Sequence, residues 1–99
     1  METVPHAIIE LRLLTPEEGG RESPLSGDLH YYRPNFEIDG EFHAGSFLCG
    51  VKSMELGSTF QVPVLFLVPE LVRPKLREGK VVNMWEGKLV ARGKVVRVN

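Results

Sequence analysis

The chain has 99 residues, of which 42% are hydrophobic and 25% are charged, and its net charge is −1. These values are typical of a folded globular protein and argue against an intrinsically disordered chain. This length is enough to bury one core without disulfides. We therefore expect a single domain over residues 1–99, with its core in residues 6–98.

The apolar runs of the chain are too short to cross a membrane. The longest, residues 62–68, is interrupted by Pro63 and is far shorter than the roughly 18 residues that a spanning helix needs. Residues 1–5 lack the pattern of a secretion signal. Cys49 is the one cysteine and cannot form an internal disulfide. These features predict a cytoplasmic protein without membrane contacts.

Six strands are expected in chain order. Residues 7–14 alternate apolar and polar positions, as a half-buried strand does. A loop follows over residues 17–28 and is long enough to be functional. The next three strands are predicted at residues 29–38, 41–51 and 59–68. Asp39-Gly40 forms a turn between the first two of these, and an irregular segment follows the last at residues 69–76.

Residues 78–98 complete the predicted set. They contain two β-branched runs joined at Glu86-Gly87-Lys88, which is the pattern of a hairpin with one buried and one solvated face. An isolated hairpin is unstable, so the preceding strands must close against it. Six short strands separated by turns, without helical periodicity, predict an all-β fold: a six-stranded antiparallel Greek-key-like β-barrel.

Charge is distributed unevenly along the chain. Residues 73–99 contain eight basic and two acidic side chains, whereas residues 1–72 contain four basic and eleven acidic ones. A basic stripe on the last hairpin is a possible contact surface for an RNA backbone. The alternative is a solvated strand face whose lysines prevent aggregation.

Four motifs occur in an order that suggests a family. A loop at residues 13–25 containing Gly-Gly-Arg leads to Tyr-Arg-Pro-Asn-Phe at residues 32–36, a strand at residues 64–69 ends in proline, and residues 85–93 contain Glu-Gly-Lys. Together they resemble the C-terminal β-barrel, domain 3, of translation elongation factor Tu. That family has an Asp-Glu-Gly-Gly-Arg-His-Thr loop before a Tyr-Arg-Pro-Gln-Phe strand, and a glycine-rich final hairpin.

The chain departs from the family in ways that bear on function. The family's Arg-His pair is Arg21-Glu22 in this chain, the hairpin has one glycine fewer, and the segment between Pro69 and Glu78 is longer. The 99 residues contain no G-x-x-x-x-G-K-[ST] loop to bind phosphates. We expect no GTP binding and no other cofactor.

The resemblance implies a site without catalysis. Domain 3 of the factor contacts the T-stem backbone of aminoacyl-tRNA and packs on the GTPase domain. On this chain, Arg21 and Ser23 match the first-loop contact region, and Gly87 and Lys88 match the hairpin region. Glu22 would repel a phosphate. Alternatively, Arg21 forms an ion pair with Glu17 or Glu18 within a tight turn.

Other candidate side chains have two interpretations each. Arg33 and Asn35 belong either to a bulged strand, with Arg33 paired locally, or to a partner surface. Trp85 either packs over the barrel end or anchors an interface. The remaining candidates concern metal and nucleophile chemistry: His43 with Cys49 fits no zinc spacing, and Cys49 has no base placed to activate it, so we expect no metal site and a small buried cysteine.

Two functions follow from these patterns. The first is a stand-alone, non-catalytic module that binds a protein partner of the translation machinery or a second copy of itself, including as a mimic of elongation factor Tu. The second is a module that binds tRNA or another RNA backbone through a basic set: Arg21, Lys88, Arg92 and Lys94. We do not expect an enzyme.

Overall fold

The structure is a computed structural model that describes residues 4–27, 29, 32–48 and 53–99. Within these residues the chain forms eight strands and one short α-helix. Their bounds are β1 Ala7–Leu13, β2 Leu25–Ser26, β3 Asn35–Ile38, β4 Glu41–Phe47, β5 Ser53–Met54, β6 Thr59–Phe66, α1 Pro69–Val72, β7 Val81–Trp85 and β8 Leu89–Val98. Single 3₁₀ turns occupy Pro16–Glu18 and Arg73–Lys75.

Six of these strands close into an antiparallel barrel in the order β1-β6-β4-β3-β7-β8, with β8 pairing back onto β1. Strands β3, β4 and β6 neighbour one another in chain order, while β1 lies beside β6, which is a Greek-key arrangement. Strands β2 and β5 form a separate two-stranded ladder. The predicted all-β barrel is confirmed.

Alternation of side chains creates the barrel core. Every second residue of β1 is fully buried, from Ala7 through Ile9 and Leu11 to Leu13. Strand β7 follows the same rule, with Val82 buried and its neighbour Val81 61% exposed. Because successive side chains of a strand point to opposite faces, one face of every strand lines the core. The largest core side chains are the rings of Phe36 and Phe47.

Strand β8 needs a glycine at the point where its backbone lies closest to β1. Gly93 pairs with Leu11, and a Cβ atom added at Gly93 would lie 2.0 Å from the carbonyl oxygen of Glu10. No side chain can be accommodated against a backbone atom at that distance. Gly93 therefore permits the close contact between β1 and β8 that closes the barrel.

Both predicted turns are present. Asp39 and Gly40 have positive φ values of 54° and 80°, the conformation of a two-residue hairpin loop between β3 and β4. At the second turn, Gly87 has a φ of 75°, and the Glu86 N–H donates to the Lys88 carbonyl at 2.8 Å. The predicted hairpin at residues 78–98 is confirmed.

Several predicted bounds were wrong. The second strand begins at Asn35 rather than at residue 29, because Pro34 has no N–H to donate to a neighbouring strand. The segment predicted to be irregular, residues 69–76, contains α1 and a 3₁₀ turn, since each proline occupies a first-turn position that needs no N–H donor. The predicted loop at residues 17–28 contributes β2, and the segment between the strands predicted at residues 41–51 and 59–68 contributes β5. Part of the strand predicted at residues 41–51 lies outside the described residues.

The barrel has two different ends. One end, which we call the apolar end, contains the first residues of β1, β4 and β7 and the last residues of β3, β6 and β8. The opposite end, which we call the hairpin end, carries the first loop and the β7–β8 turn. Among the described residues, the large hydrophobic side chains that are exposed lie on elements of the apolar end: Val4, Phe42, Leu67, Val68, Leu71, Val81 and Val98. Within the residues that the structure describes, no helix is long and apolar enough to cross a membrane.

Candidate functional site at the hairpin end

The first loop is held in shape by contacts around Thr15. The Thr15 N–H and hydroxyl both donate to Oε1 of Glu18, at 3.0 and 3.1 Å, while Arg12 donates to Oε2 at 2.9 Å. The Thr15 N–H and the Arg12 guanidinium lower the pKa of Glu18. Gly20 then donates its N–H to the Thr15 carbonyl at 2.9 Å. These contacts end the 3₁₀ turn and direct the following residue, Arg21, toward the hairpin.

Arg21 forms its ion pair with the hairpin and a hydrogen bond within its own loop. Its Nη1 lies 2.5 Å from Oε1 of Glu86, and its Nε donates to the carbonyl of Ser23 at 3.0 Å. The predicted pairing of Arg21 with Glu17 or Glu18 is therefore wrong: the ion pair of Arg21 is with Glu86, and the two oxygens of Glu18 bind Thr15 and Arg12. The pair is about three quarters buried, with side-chain exposures of 25% for Arg21 and 23% for Glu86.

Glu86 has a second partner in Tyr32, whose hydroxyl donates to Oε2. The Tyr32 ring packs edge-on against Phe47, with the centroids 5.5 Å apart. Burial and the adjacent Glu86 carboxylate raise the pKa of the Tyr32 phenol, which keeps the hydroxyl protonated as a donor. One carboxylate thus joins the first loop, the segment before β3 and the final hairpin.

This geometry brings together four of the predicted site residues. Arg21 and Ser23 lie on one side of Glu86, and Gly87 and Lys88 directly follow it in the turn. Gly87 and Lys88 are exposed, and Lys88 forms no ion pair with any described residue. The charge of Arg21, by contrast, is neutralised by Glu86. Lys88 is therefore the cation that this surface presents to a ligand.

The other predicted residues lie elsewhere on the barrel. Arg92 and Lys94 project from the outer face of β8, four and six residues beyond Lys88, or roughly 13 and 20 Å along the strand. Arg92 is in register with Arg12 of β1, and Lys94 Nζ lies 3.8 Å from the carboxylate of Glu10. The structure does not bring these cations to the hairpin turn.

Arg33 and Asn35 form a third group at the start of β3. Asn35 is exposed and lies in register with Trp85 of β7 and Ala44 of β4. Arg33 is also exposed and borders a shallow cavity of about 230 Å³ between β4 and the end of β6. The predicted local pairing of Arg33 has no counterpart among the ion pairs of the described residues.

Sequence reasoning missed a cluster on the outside of the barrel wall. Trp85 does not cover the barrel end: its ring packs edge-to-face with Phe42, with centroids 5.4 Å apart and planes at 89°. Its Nε1 donates to Oε1 of Glu37 at 3.1 Å. The sequence has an aromatic residue at an outward position of each of the two hairpins, Phe42 in the first and Trp85 in the second. Only the pairing of the strands shows that the two rings are in contact.

Groups that could hold a metal ion are absent from the part of the chain that the structure describes. His43 contacts Lys75 Nζ at 3.2 Å, and Cys49, expected to be a small buried cysteine, lies outside the described residues. Burial and the Lys75 ammonium lower the pKa of His43.

Comparisons with known proteins do not assign the chain to a family: no protein-family model matches it, and no curated protein is similar enough to count as a relative.

Proposed function

We propose that this chain is a non-catalytic interaction module that binds a protein partner through the apolar end of its barrel. The observation that carries the proposal is the grouping of exposed hydrophobic side chains at that end. Leu67 and Leu71 are 68% and 61% exposed, and Val68 between them is 43% exposed. Grouped exposed apolar side chains mark interaction surfaces more often than scattered ones do.

The closed barrel restricts how a partner can bind. Because β8 pairs back onto β1, the barrel offers no edge strand to which a partner could add a strand of its own. Binding to the barrel itself must therefore use side chains. At the apolar end these are supplied by the β6–α1 segment, together with Phe42 of β4 and Val81 of β7.

The relation to domain 3 of elongation factor Tu is part of the same proposal. Two motifs that carry the resemblance, the Gly-Gly-Arg loop and the Glu-Gly-Lys hairpin, are joined through Arg21 and Glu86. Contact between the two motifs supports this relation. A domain that is covered by other domains in the factor would, when alone, offer that surface to another protein of the translation machinery or to a second copy.

The test compares two variants in quantitative affinity purification from the source cells. Leu67→Asp with Leu71→Asp places two charges on the apolar end, and Thr59→Asp with Gln61→Asp places the same charges on exposed positions of the β6 wall. We expect the wild type and the β6-wall variant to enrich the same partner, and the apolar-end variant to lose it at least tenfold.

Light scattering of the purified protein tests whether the partner is a second copy of this chain. A dimer that is present in the wild type and absent in the apolar-end variant supports the proposal. A monomeric protein whose captured set is identical in all three forms contradicts it. Thermal melts of each variant establish that both remain folded, which is expected because all four positions are at least partly exposed.

An RNA backbone is the alternative ligand. The outer face of β8 carries Arg92, which lies opposite Arg12 of β1, and Arg12 is itself paired with Glu18. Lys94 on β8 and Lys88 in the turn before it extend this basic strip. A phosphate backbone bound along the strip would release counterions, giving salt-dependent binding of tRNA or another RNA.

A further inference from the structure

Three side chains on the outside of the barrel form what we call the aromatic–carboxylate site: Glu37 of β3, Phe42 of β4 and Trp85 of β7. Glu37 lies in register with Phe42, and Trp85 reaches across β3 to pack edge-to-face with the Phe42 ring. Phe42 is 54% exposed, so its ring is accessible to a ligand. The site thus places an accessible aromatic ring beside a carboxylate.

Glu37 lacks the kind of partner that comparable carboxylates have. Among the described residues, the acidic side chains of intermediate burial are Glu10, Glu37 and Glu86. Glu10 has Lys94 and Glu86 has Arg21 as a cationic partner. The hydrogen bonds to Glu37 come from neutral donors, Trp85 Nε1 at 3.1 Å and Asn83 Nδ2 at 3.5 Å, and both reach Oε1. A half-buried carboxylate without a cation is costly to desolvate.

The nearby lysines do not form ion pairs with Glu37. Lys80 Nζ lies 2.7 Å from Asp39 Oδ1, and Lys75 is paired with Glu41. Both carboxylates consequently have a lowered pKa, through the hydrogen bond from the respective lysine. Within the described part of the chain, both lysines are thus already paired with the two acidic residues of the β3–β4 turn region. Arg77 is exposed and lines the same cavity as Glu37, but it forms no ion pair with Glu37.

There is room for a ligand beside Glu37. A cavity of about 550 Å³ lies between the Asp39-Gly40 turn and the segment that leads into β7, and Glu37, Val81 and Asn83 line it. Val81 is 61% exposed and adds an apolar contact. An extended side chain with an apolar stem and a charged end would have contacts along its whole length.

We propose that the aromatic–carboxylate site binds an arginine side chain of a protein partner. A guanidinium group stacks on aromatic rings and donates to a carboxylate in one plane, and it loses less hydration than an ammonium group does. Phe42 supplies the ring, Glu37 accepts the hydrogen bonds, and Val81 contacts the methylene stem. The inference rests on the proposed function, because it assigns one contact of the partner that the module binds.

Trp85 makes the test direct, since it is the one tryptophan of the chain and lies in the site. The probe is the peptide N-acetyl-Gly-Arg-Gly-amide, titrated at low salt while the Trp85 emission is recorded. The matched probe carries citrulline, which keeps the shape of arginine but has no charge. We expect a saturable change with arginine and at least tenfold weaker binding of citrulline.

Two variants assign the contact. Glu37→Gln keeps an acceptor for Trp85 and should weaken arginine binding at least tenfold. Glu78→Gln makes the same charge change at an exposed carboxylate of the same cavity, and its affinity should stay within twofold of wild type. Equal loss in both variants would mean general charge attraction, and equal affinity for citrulline would mean an uncharged contact; each result overturns the inference.

Failure of the inference can be distinguished from failure of the proposed function. If the peptide causes no saturable change in Trp85 emission, but the apolar-end variant still loses a captured partner, the arginine site is wrong and the interaction module stands. If arginine binds as expected and no partner or dimer depends on the apolar end, the site stands as a binding site and the proposed docking surface is wrong.

Discussion

Arg21 and Glu86 are 65 positions apart in the chain, yet the Arg21 Nη1 atom lies 2.5 Å from the Glu86 Oε1 atom. The contact joins the loop after β1 to the turn between β7 and β8. Because Tyr32 donates to the other oxygen of Glu86, three segments are held together by one carboxylate. Conformational change at either loop would therefore be transmitted to the other.

The first prediction concerns the stability that this pair provides. Arg21→Met leaves a mostly buried Glu86 without its cation, so we expect it to lower the free energy of unfolding by about 1–3 kcal/mol. Glu86→Ala should cost a similar amount, because it leaves both Arg21 and Tyr32 without an acceptor. Urea unfolding of both variants and of the double variant measures the coupling energy between the two residues.

A control pair is available between β1 and the same loop. Arg12 and Glu18 are 2.9 Å apart but have side-chain exposures of 42% and 40%. Their coupling energy should be clearly smaller than that of Arg21 and Glu86, since solvent screens exposed ion pairs. Equal coupling energies for the two pairs would contradict the structural role assigned to Glu86.

The second prediction concerns closure of the barrel. Gly93→Ala introduces a methyl group 2.0 Å from the Glu10 carbonyl oxygen, so β1 and β8 must separate. We expect the free energy of unfolding to fall by about 3 kcal/mol or more, at the upper end of overpacking costs. Gly19→Ala is the control: Gly19 has a φ of 83° and open space around it, so only backbone strain of about 1–2 kcal/mol is expected.

The third prediction is a pH dependence that involves His6. Its Nδ1 accepts the Phe66 N–H at 2.9 Å, which requires an unprotonated nitrogen. Burial and the positive charge of Arg73 lower the pKa of His6 in the folded protein. The unfolded chain therefore takes up the proton first. Stability should be highest above the unfolded value of about 6.5 and should fall as the pH drops from there through the lowered folded pKa.

Denaturation at several pH values between 7.5 and 5.5 measures this effect above the range in which carboxylates titrate. His6→Asn supplies an uncharged acceptor at a similar position, so this variant should lose less stability on acidification than the wild type. His43, whose pKa is also lowered, accounts for part of the remaining slope. An identical pH profile for the variant and the wild type would show that His6 does not titrate as inferred.

The fourth prediction separates RNA binding from protein binding. If the basic strip of β8 binds an RNA backbone, gel-shift affinity for tRNA should fall steeply with salt, and Lys88→Glu with Arg92→Glu should weaken it at least tenfold and reduce the salt slope. Arg21→Met should change RNA affinity little, because its guanidinium already binds Glu86. The absence of any shift at low salt would leave the protein partner as the proposed ligand.

Features that depend on neighbouring residues were predicted from the sequence more accurately than features that depend on distant ones. Alternation of buried and exposed residues in β1 and β7, together with the Asp39-Gly40 and Glu86-Gly87-Lys88 turns, predicted the strands and the barrel correctly. Boundaries near prolines were less accurate, because the ring of Pro34 both removes a donor and restricts its neighbour. Of the predicted site residues, those in the first loop and the hairpin do meet, whereas Arg92, Lys94, Arg33 and Asn35 lie on other surfaces.

The period-two pattern of side chains by itself determined that this chain is built of β-strands with one buried face, since a strand's two faces can be read from neighbouring residues. Only the tertiary structure decided which charges are available and which apolar side chains share a surface. The pairing of Arg21 with Glu86, the contact of Phe42 with Trp85 and the neutral hydrogen-bond donors of Glu37 depend on strand order and register. Those are set by closure of the whole barrel, which no local stretch of sequence encodes.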